Sequence, residues 1–283
     1  MQNQTPPLIL TFGATDPAGA IGIQADLASF AAMGCHGLSV VTSILISDTA
    51  RIEDVQAVDA DWVADQARVI LEDMPVAAFK VGAVASIENV SVIAEIVSDY
   101  PDVPLILDPF LTAMPDQGQD SEDMLIAIRE LLIPQTTVFV ASAMELARFA
   151  ETWREPAAGD TMLADAMRVI EMGCEYLLIT GTPGDVHEVS NTLFDESGAV
   201  RQDAWQRLPG SFSGAGSTLS ATIAALLSNG VDVPEAVFEA QEFTYAALSN
   251  AHRLGMGKLT PDRYFWARES ESEPGSDTDT KPS

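Results

Sequence analysis

Apolar runs of strand length alternate along this chain with longer stretches whose apolar residues recur at helical spacing. Leu8–Gly13 reads as a first strand, closed by the turn Asp16-Pro17-Ala18-Gly19, after which Ile23, Leu27, Phe30 and Ala31 follow a helical period. Leu38–Ile46 (LSVVTSILI) is a buried strand by length and β-branched content, and Ile52–Val58 alternates as a half-exposed strand does. The rhythm continues with helix Trp62–Leu71, strand Ala77–Val81, helix Val90–Val97, strand Leu105–Leu107, helix Met124–Leu132 and strand Thr137–Val140. Helices Met144–Thr152 and Met162–Met172 come next, then strand Tyr176–Thr180, ending at Gly181. Thr192–Asp195 and Val200–Leu208 form a hairpin around Glu196-Ser197-Gly198. Two helices, from Thr218 and from Pro234, precede a closing segment, Leu254–Trp266. Repeated βα units predict an α/β fold in three layers, a mostly parallel central sheet with helices on both faces. Ligands in such sheets bind beyond the carboxyl ends of the strands. Gly13–Gly22, Ser47–Thr49, Lys80–Gly82, Asp108 and Gly181 therefore face one common site. No repeat or linker divides the body, so residues 8–266 read as one domain.

The run Ser213-Gly214-Ala215-Gly216-Ser217-Thr218 leads straight into the helix carrying Leu219, Ile223, Leu226 and Leu227. Ser213 or Gly214 can cap that helix, and the glycines let bare backbone approach a ligand. First-turn N–H groups lack intrahelical partners, so the turn is suited to hold an anion. The plainer alternative is a capped helix after a flexible turn.

Composition narrows the partners. The 283 residues, 47% of them hydrophobic, suffice for one large core. No stretch has the roughly 20 apolar residues of a membrane helix, and the opening Met1–Pro7 lacks the pattern of a cleaved signal. Fourteen basic against 42 acidic residues give a net charge of −28, a field that excludes nucleic acid and anionic membranes as partners. Glu269–Ser283 is acidic, has no apolar anchor and is expected to be disordered. Most of the acidity lies on the folded body, which predicts adaptation to high salt. Cys35 and Cys174, without metal spacing, read as buried thiols of a cytoplasmic protein. His36, His187 and His252 are scattered, and the methionines read as core filler.

With these motifs in place, the chain resembles the ribokinase-like small-molecule kinases, most closely the hydroxymethylpyrimidine/phosphomethylpyrimidine kinases of thiamine biosynthesis. GATDPAGAIGIQADL, Gly13 to Leu27, is similar to that family's GTDPSGGAGIQADL, and GAGSTLSA, Gly214 to Ala221, to its GTGCTLSA. Lys80-Val81-Gly82 resembles its KIG, Asp108-Pro109 its DP and Met172-Gly173-Cys174 its MGC, and Gly255, Gly257 and Pro261 match its end. The resemblance implies ATP-dependent phosphorylation of hydroxymethylpyrimidine or its monophosphate, with Mg²⁺ and with K⁺ as a further candidate, by a homodimer whose contact can be the Leu38–Val58 ribbon. It places Gly214, Ala215, Gly216 and Ser217 at the catalytic turn. Gly13, Asp16, Gly19, Asp26, Ser47 and Ala83 fall at substrate positions. Thr180, Gly181, Thr218 and Gln241 fall at nucleotide and phosphate positions, and Asp108 and Glu145 at metal positions.

Departures from the family pattern cluster on the same positions. Ser217 stands where the family has the cysteine taken as catalytic base, and losing a general base costs about 10²–10⁴ in rate. Family lysines fall at Met114, Thr180 and Gln241, the asparagine of NxxE at Ser142, the ring-reading glutamine at Ser47 and the pocket methionine at Ala83. Two readings stay open: a kinase with these replacements, and a protein on the same fold that binds a small heterocycle or nucleotide without transfer. A pyridoxal-type acceptor is a weaker third. Several residues also keep plain alternatives. Asp16 can orient the acceptor or simply start a turn, Asp26 can face substrate or solvent, and Glu145 can order Mg²⁺ or lie on the surface. Lys80, following an apolar strand, reads as a buried ion-pair partner.

Overall fold

Residues 5–111, 114–115, 119–150, 161–182 and 185–267 are described by a computed structural model of the chain. Nine strands form one sheet in the order β3-β2-β1-β4-β5-β6-β7-β8-β9. β1 (Leu8–Thr15), β2 (His36–Ser47), β4 (Ala78–Val81), β5 (Leu105–Leu107), β6 (Val138–Ser142) and β7 (Tyr176–Thr182) run parallel. β3 (Ile52–Ala57) and the hairpin β8 (Glu188–Asp195) with β9 (Gly198–Gln206) close the two edges antiparallel.

The period-2 alternation of the strands divides the core into two layers. Leu10, Phe12, Phe79, Val81, Leu105, Leu107 and Phe139 point to one face, with residues of α2 (Ala60–Asp73), α3 (Ile87–Ser98), α4 (Gln119–Ala127), α5 (Ala143–Phe149) and α6 (Thr161–Ile170). Ile9, Ala78, Ile106, Val138 and Leu178 point to the other, with α1 (Gly22–Ala32), α7 (Ala215–Ser228) and α8 (Val233–Ser249). The expected three layers are present.

Some boundaries differ from the sequence expectations. β1, β6 and β7 run on through Thr15, Ser142 and Thr182, and β8 begins at Glu188, because ladder pairing continues where the apolar pattern stops. Helix Met124–Leu132 divides: α4 ends at Ala127, and the chain widens into a π turn at Ile128–Leu132 and a 3₁₀ turn at Ile133–Gln135. Pro134 has no N–H to continue an α ladder. Helix Met144–Thr152 ends at Phe149 with Ala150 as its C-cap, and residues 151–152, like the tail Glu269–Ser283, lie outside the described residues. Cys35 and Cys174 are buried free thiols, and burial pushes the Cys174 thiol up to about 12. Among the described residues no helix is long and apolar enough to cross a membrane.

Candidate active site

The strand order reverses at β1, whose neighbours β2 and β4 lie on opposite sides, and the crevice at such a switch point is where open α/β sheets bind ligands. The loop leaving β1 is built on Asp16. One carboxylate oxygen accepts the N–H groups of Ala20 (2.8 Å) and Ile21 (3.0 Å), and the other those of Ala18 (3.0 Å) and the Ser47 hydroxyl (2.6 Å). Asp16 and Ser47 therefore shape the loop that carries Gly19, whose N–H closes the turn on the Asp16 carbonyl at 3.1 Å. Gly13 lies in β1, where the pairing with β2 slips by one residue before Ala14. Gly22 starts α1 at φ +61°, and a methyl group there would strike the Ala14 carbonyl oxygen.

Facing this loop is the start of α7. Gly214 is its N-cap, left-handed at φ +94°, and no side chain caps the helix. The first intrahelical bond runs from the Thr218 N–H to the Gly214 carbonyl at 2.9 Å, so the N–H groups of Ala215, Gly216 and Ser217 lie ahead of it. A methyl group on Gly214 would collide with the Ala20 carbonyl oxygen, which makes the turn and the β1 loop the two walls of one cleft. Thr218 is fully buried: its hydroxyl donates to the Gly214 carbonyl (2.7 Å) and accepts from Arg263 Nε (3.0 Å). Arg263 Nη2 in turn donates to the Ala20 carbonyl at 2.7 Å.

Three buried acidic groups lie near this turn, Asp108 after β5, Glu145 on α5 and Asp26 on α1. A methyl group on Gly216 would lie 3.8 Å from Asp108 Oδ2, which accepts the Ser220 hydroxyl at 2.8 Å. Burial pushes Asp108 up to about 6, with the Glu145 and Asp26 charges adding to the rise and Lys80 and Ser220 opposing it. Glu145 is buried at N3 of α5, where Oε2 accepts the Ser142 N–H (2.9 Å) and hydroxyl (2.8 Å) in a capping box. Asp26 lies in the interior, not on a solvent face. It accepts the Thr11 hydroxyl at 2.7 Å and pairs with Lys80 Nζ at 3.0 Å. Thr11 and Lys80 are register partners on β1 and β4, both turned toward α1, so the alternation of two strands creates this pair. The reading of Lys80 as a buried ion-pair partner matches its position. No group of three or more metal-ligating side chains occurs among the described residues, but two buried carboxylates suit Mg²⁺, which takes one or two plus phosphate oxygens and waters.

The opposite end of the turn leads to β7–β9 and α8. Thr180 donates to the Ala141 carbonyl at 3.4 Å, and Gly181, at φ +67°, donates its N–H to Asn191 Oδ1 at 3.0 Å. Asn191 Nδ2 donates to Gln241 Oε1 (2.8 Å), and Gln241 Nε2 to Asp203 Oδ2 (2.9 Å), which also receives Arg201 Nε at 2.9 Å. Gln241 is thus held between Asn191 and Asp203 by its own amide. Beside it opens a cavity of about 230 Å³ lined by Trp205, Tyr245, Phe212, Leu219 and Gln241. Ala83 lies in a small apolar cluster with Ala14, Ala20, Ile21 and Leu45. Phe110 and Met114 pack against that cluster, and Phe110 has φ +53°, a backbone state rare for an aromatic residue.

Asp108 and the 214–217 turn, both singled out in the sequence, lie side by side, whereas Arg263, Asn191 and Phe110 were not singled out. A signal existed for Arg263, one of 14 basic residues in so acidic a chain, set just after the matched Pro261. The Ser217 hydroxyl makes no hydrogen bond with a carboxylate among the described residues; Asp108 bonds Ser220 instead.

Known proteins share both this sequence and this architecture. The chain is 29% identical to the hydroxymethylpyrimidine/phosphomethylpyrimidine kinase of Escherichia coli K12, over 91% of this chain and 97% of that one. It is 32% identical to the same-named kinase of Rhizobium meliloti, over 89% and 94%. Pyridoxal kinase from Staphylococcus aureus, solved with pyridoxal, superposes with a TM-score of 0.83 at 22% identity, covering 93% of this chain and 96% of that one, a likeness of fold. A family model described as phosphomethylpyrimidine kinase matches residues 16–262, the span that holds both walls of the cleft, and the chain belongs to that family.

Proposed function

We propose that this kinase transfers the γ-phosphoryl group of MgATP to the hydroxymethyl group of hydroxymethylpyrimidine, to the phosphate of its monophosphate, or to both, a thiamine-biosynthesis reaction. The observation that carries the reading is the α7 turn, three N–H groups ahead of the first helical bond, set at the sheet's switch point with Asp108 against it. Phosphoryl transfer passes through a loose transition state whose charge sits on the equatorial oxygens, so cradling that charge matters more than early deprotonation. The acceptor oxygen bonds to phosphorus as the bond to the β-phosphate breaks and ADP leaves. The acceptor's proton passes to a phosphoryl oxygen and then to water. Ser217 serves as a hydrogen-bond donor to the moving group. Asp108 and Glu145 are the residues that would hold Mg²⁺, which neutralises phosphate charge when bound.

The heterocycle would lie against the apolar cluster of Ala14, Ala20, Leu45 and Ala83, on which Phe110 packs. The 230 Å³ cavity beside Trp205 and Tyr245 would receive the nucleotide base. Ile44 and Ile46 leave 50% and 58% of their surface exposed on β2 and supply the contact of a homodimer. A cytoplasmic, salt-adapted enzyme accords with free buried thiols and a net charge of −28.

The test is ADP release with hydroxymethylpyrimidine or its monophosphate, at high KCl and Mg²⁺, by the natural protein and by Ser217→Cys. Turnover by the natural protein is expected, with Ser217→Cys faster by up to about 10²-fold if the thiolate adds general-base catalysis. ATP binding without ADP release from the natural protein would replace transfer by binding alone.

A further inference from the structure

Among the described residues two cations are buried, Lys80 and Arg263, at 1% and 5% exposure. Lys80 has its carboxylate in Asp26. Among the described residues Arg263 has no carboxylate within ion-pair distance; its hydrogen bonds there go to neutral oxygens, the Thr218 hydroxyl and the Ala20 carbonyl. Its guanidinium lies against Gly214, where a methyl group would come within 2.8 Å of Nη2. A helix N-terminus is already the positive end of a dipole, so a cation there is of the wrong sign for helix stability and of the right sign for an anionic ligand. Burial lowers Arg263 to about 10, with Asp26, Tyr264 and Asp16 opposing the fall, so it stays charged at neutral pH.

We infer that Arg263 is the positioning residue of the transfer step: it ties the α7 turn to the β1 loop and sets positive charge behind the turn, where Met114, Thr180 and Gln241 supply none. Its fork holds Thr218 and Ala20 at once, so both walls of the cleft are placed by one planar group. This inference rests on the kinase reading for the identity of the anion, though not for the existence of an anion site.

The experiment uses the full chain in molar KCl, as the natural protein, Arg263→Lys and Arg263→Gln. Melting temperature is measured with and without inorganic phosphate, and kcat and KM with MgATP and hydroxymethylpyrimidine. Phosphate is expected to raise the melting temperature of the natural protein, less that of Arg263→Lys, and not that of Arg263→Gln. Arg263→Gln is expected to lose about 10²-fold in kcat, the scale of misplaced donors at a reacting group, with the KM for the pyrimidine little changed. Arg263→Lys should recover part of that loss. If Arg263→Gln does not fold, the lysine variant decides: a phosphate shift smaller than the natural protein's supports the inference, and one equal to it overturns it. Equal phosphate shifts in the natural and glutamine proteins, or none in the natural protein, also overturn it. If the natural protein shows no turnover while its phosphate shift depends on Arg263, the kinase reading fails and the anion site stands.

Discussion

Asp108 shows how much the cleft asks of one residue. Its carboxylate is 7% exposed, and burial outweighs the help of Lys80 and the Ser220 hydroxyl. Keeping it ionised above pH 7 costs folding free energy. Asp108→Asn should therefore stabilise the Mg²⁺-free protein at pH 8 by about 1–3 kcal/mol while lowering turnover at least about 10²-fold. Parallel urea melts and ADP assays check this; an asparagine variant that is both active and no more stable would remove Asp108 from the site. Asp108 was legible in the sequence as an acid at the carboxyl end of a strand, where such sheets bind their ligands. Asp26 was only half legible: its residue type was plain, but its burial depends on Thr11 and Lys80 arriving from two other elements. Arg263 was marked in the sequence only as a scarce cation after Pro261; its place was not, since its bond to Ala20 joins residues 243 positions apart.

Elements were easier to read than residues, because each strand and helix declares its own period. β5 was bounded as the sequence predicts, whereas β8 gained Glu188–Asn191 through pairing with β9, which no local pattern announces. The α7 turn combines both kinds of information. Its glycines mark a turn; that Gly214 must pass beneath the Ala20 carbonyl is tertiary. Gly214→Ala should cost about 3 kcal/mol or more, from the collision and the left-handed φ together, and should abolish phosphate-induced stabilisation. Thermal melts with and without phosphate measure both effects, and a variant melting with the natural protein would refute the close approach of the two walls.

At the scale of the molecule, charge dominates. Forty-two acids against 14 bases repel one another across distances that dilute buffer leaves unscreened. The melting temperature should rise by several degrees between about 0.1 M and 2 M KCl, since the Debye length falls from ~10 Å at 0.1 M to ~3 Å at 1 M. Sucrose at matched osmolality should give less. Equal stability in both KCl solutions would leave the acidity without this role.

The stretch from His252 to Arg263 gives the whole a sequence in time. It bonds Thr49 at the end of the β2–β3 ribbon through Lys258, Ser211 and Ser213 before α7 through Leu259, and both cleft walls through Arg263. All nine strands precede it along the chain. Every strand of the sheet is therefore made before the segment that links the ribbon, the start of α7 and the β1 loop, and that linkage is the last part of the site to be supplied during synthesis.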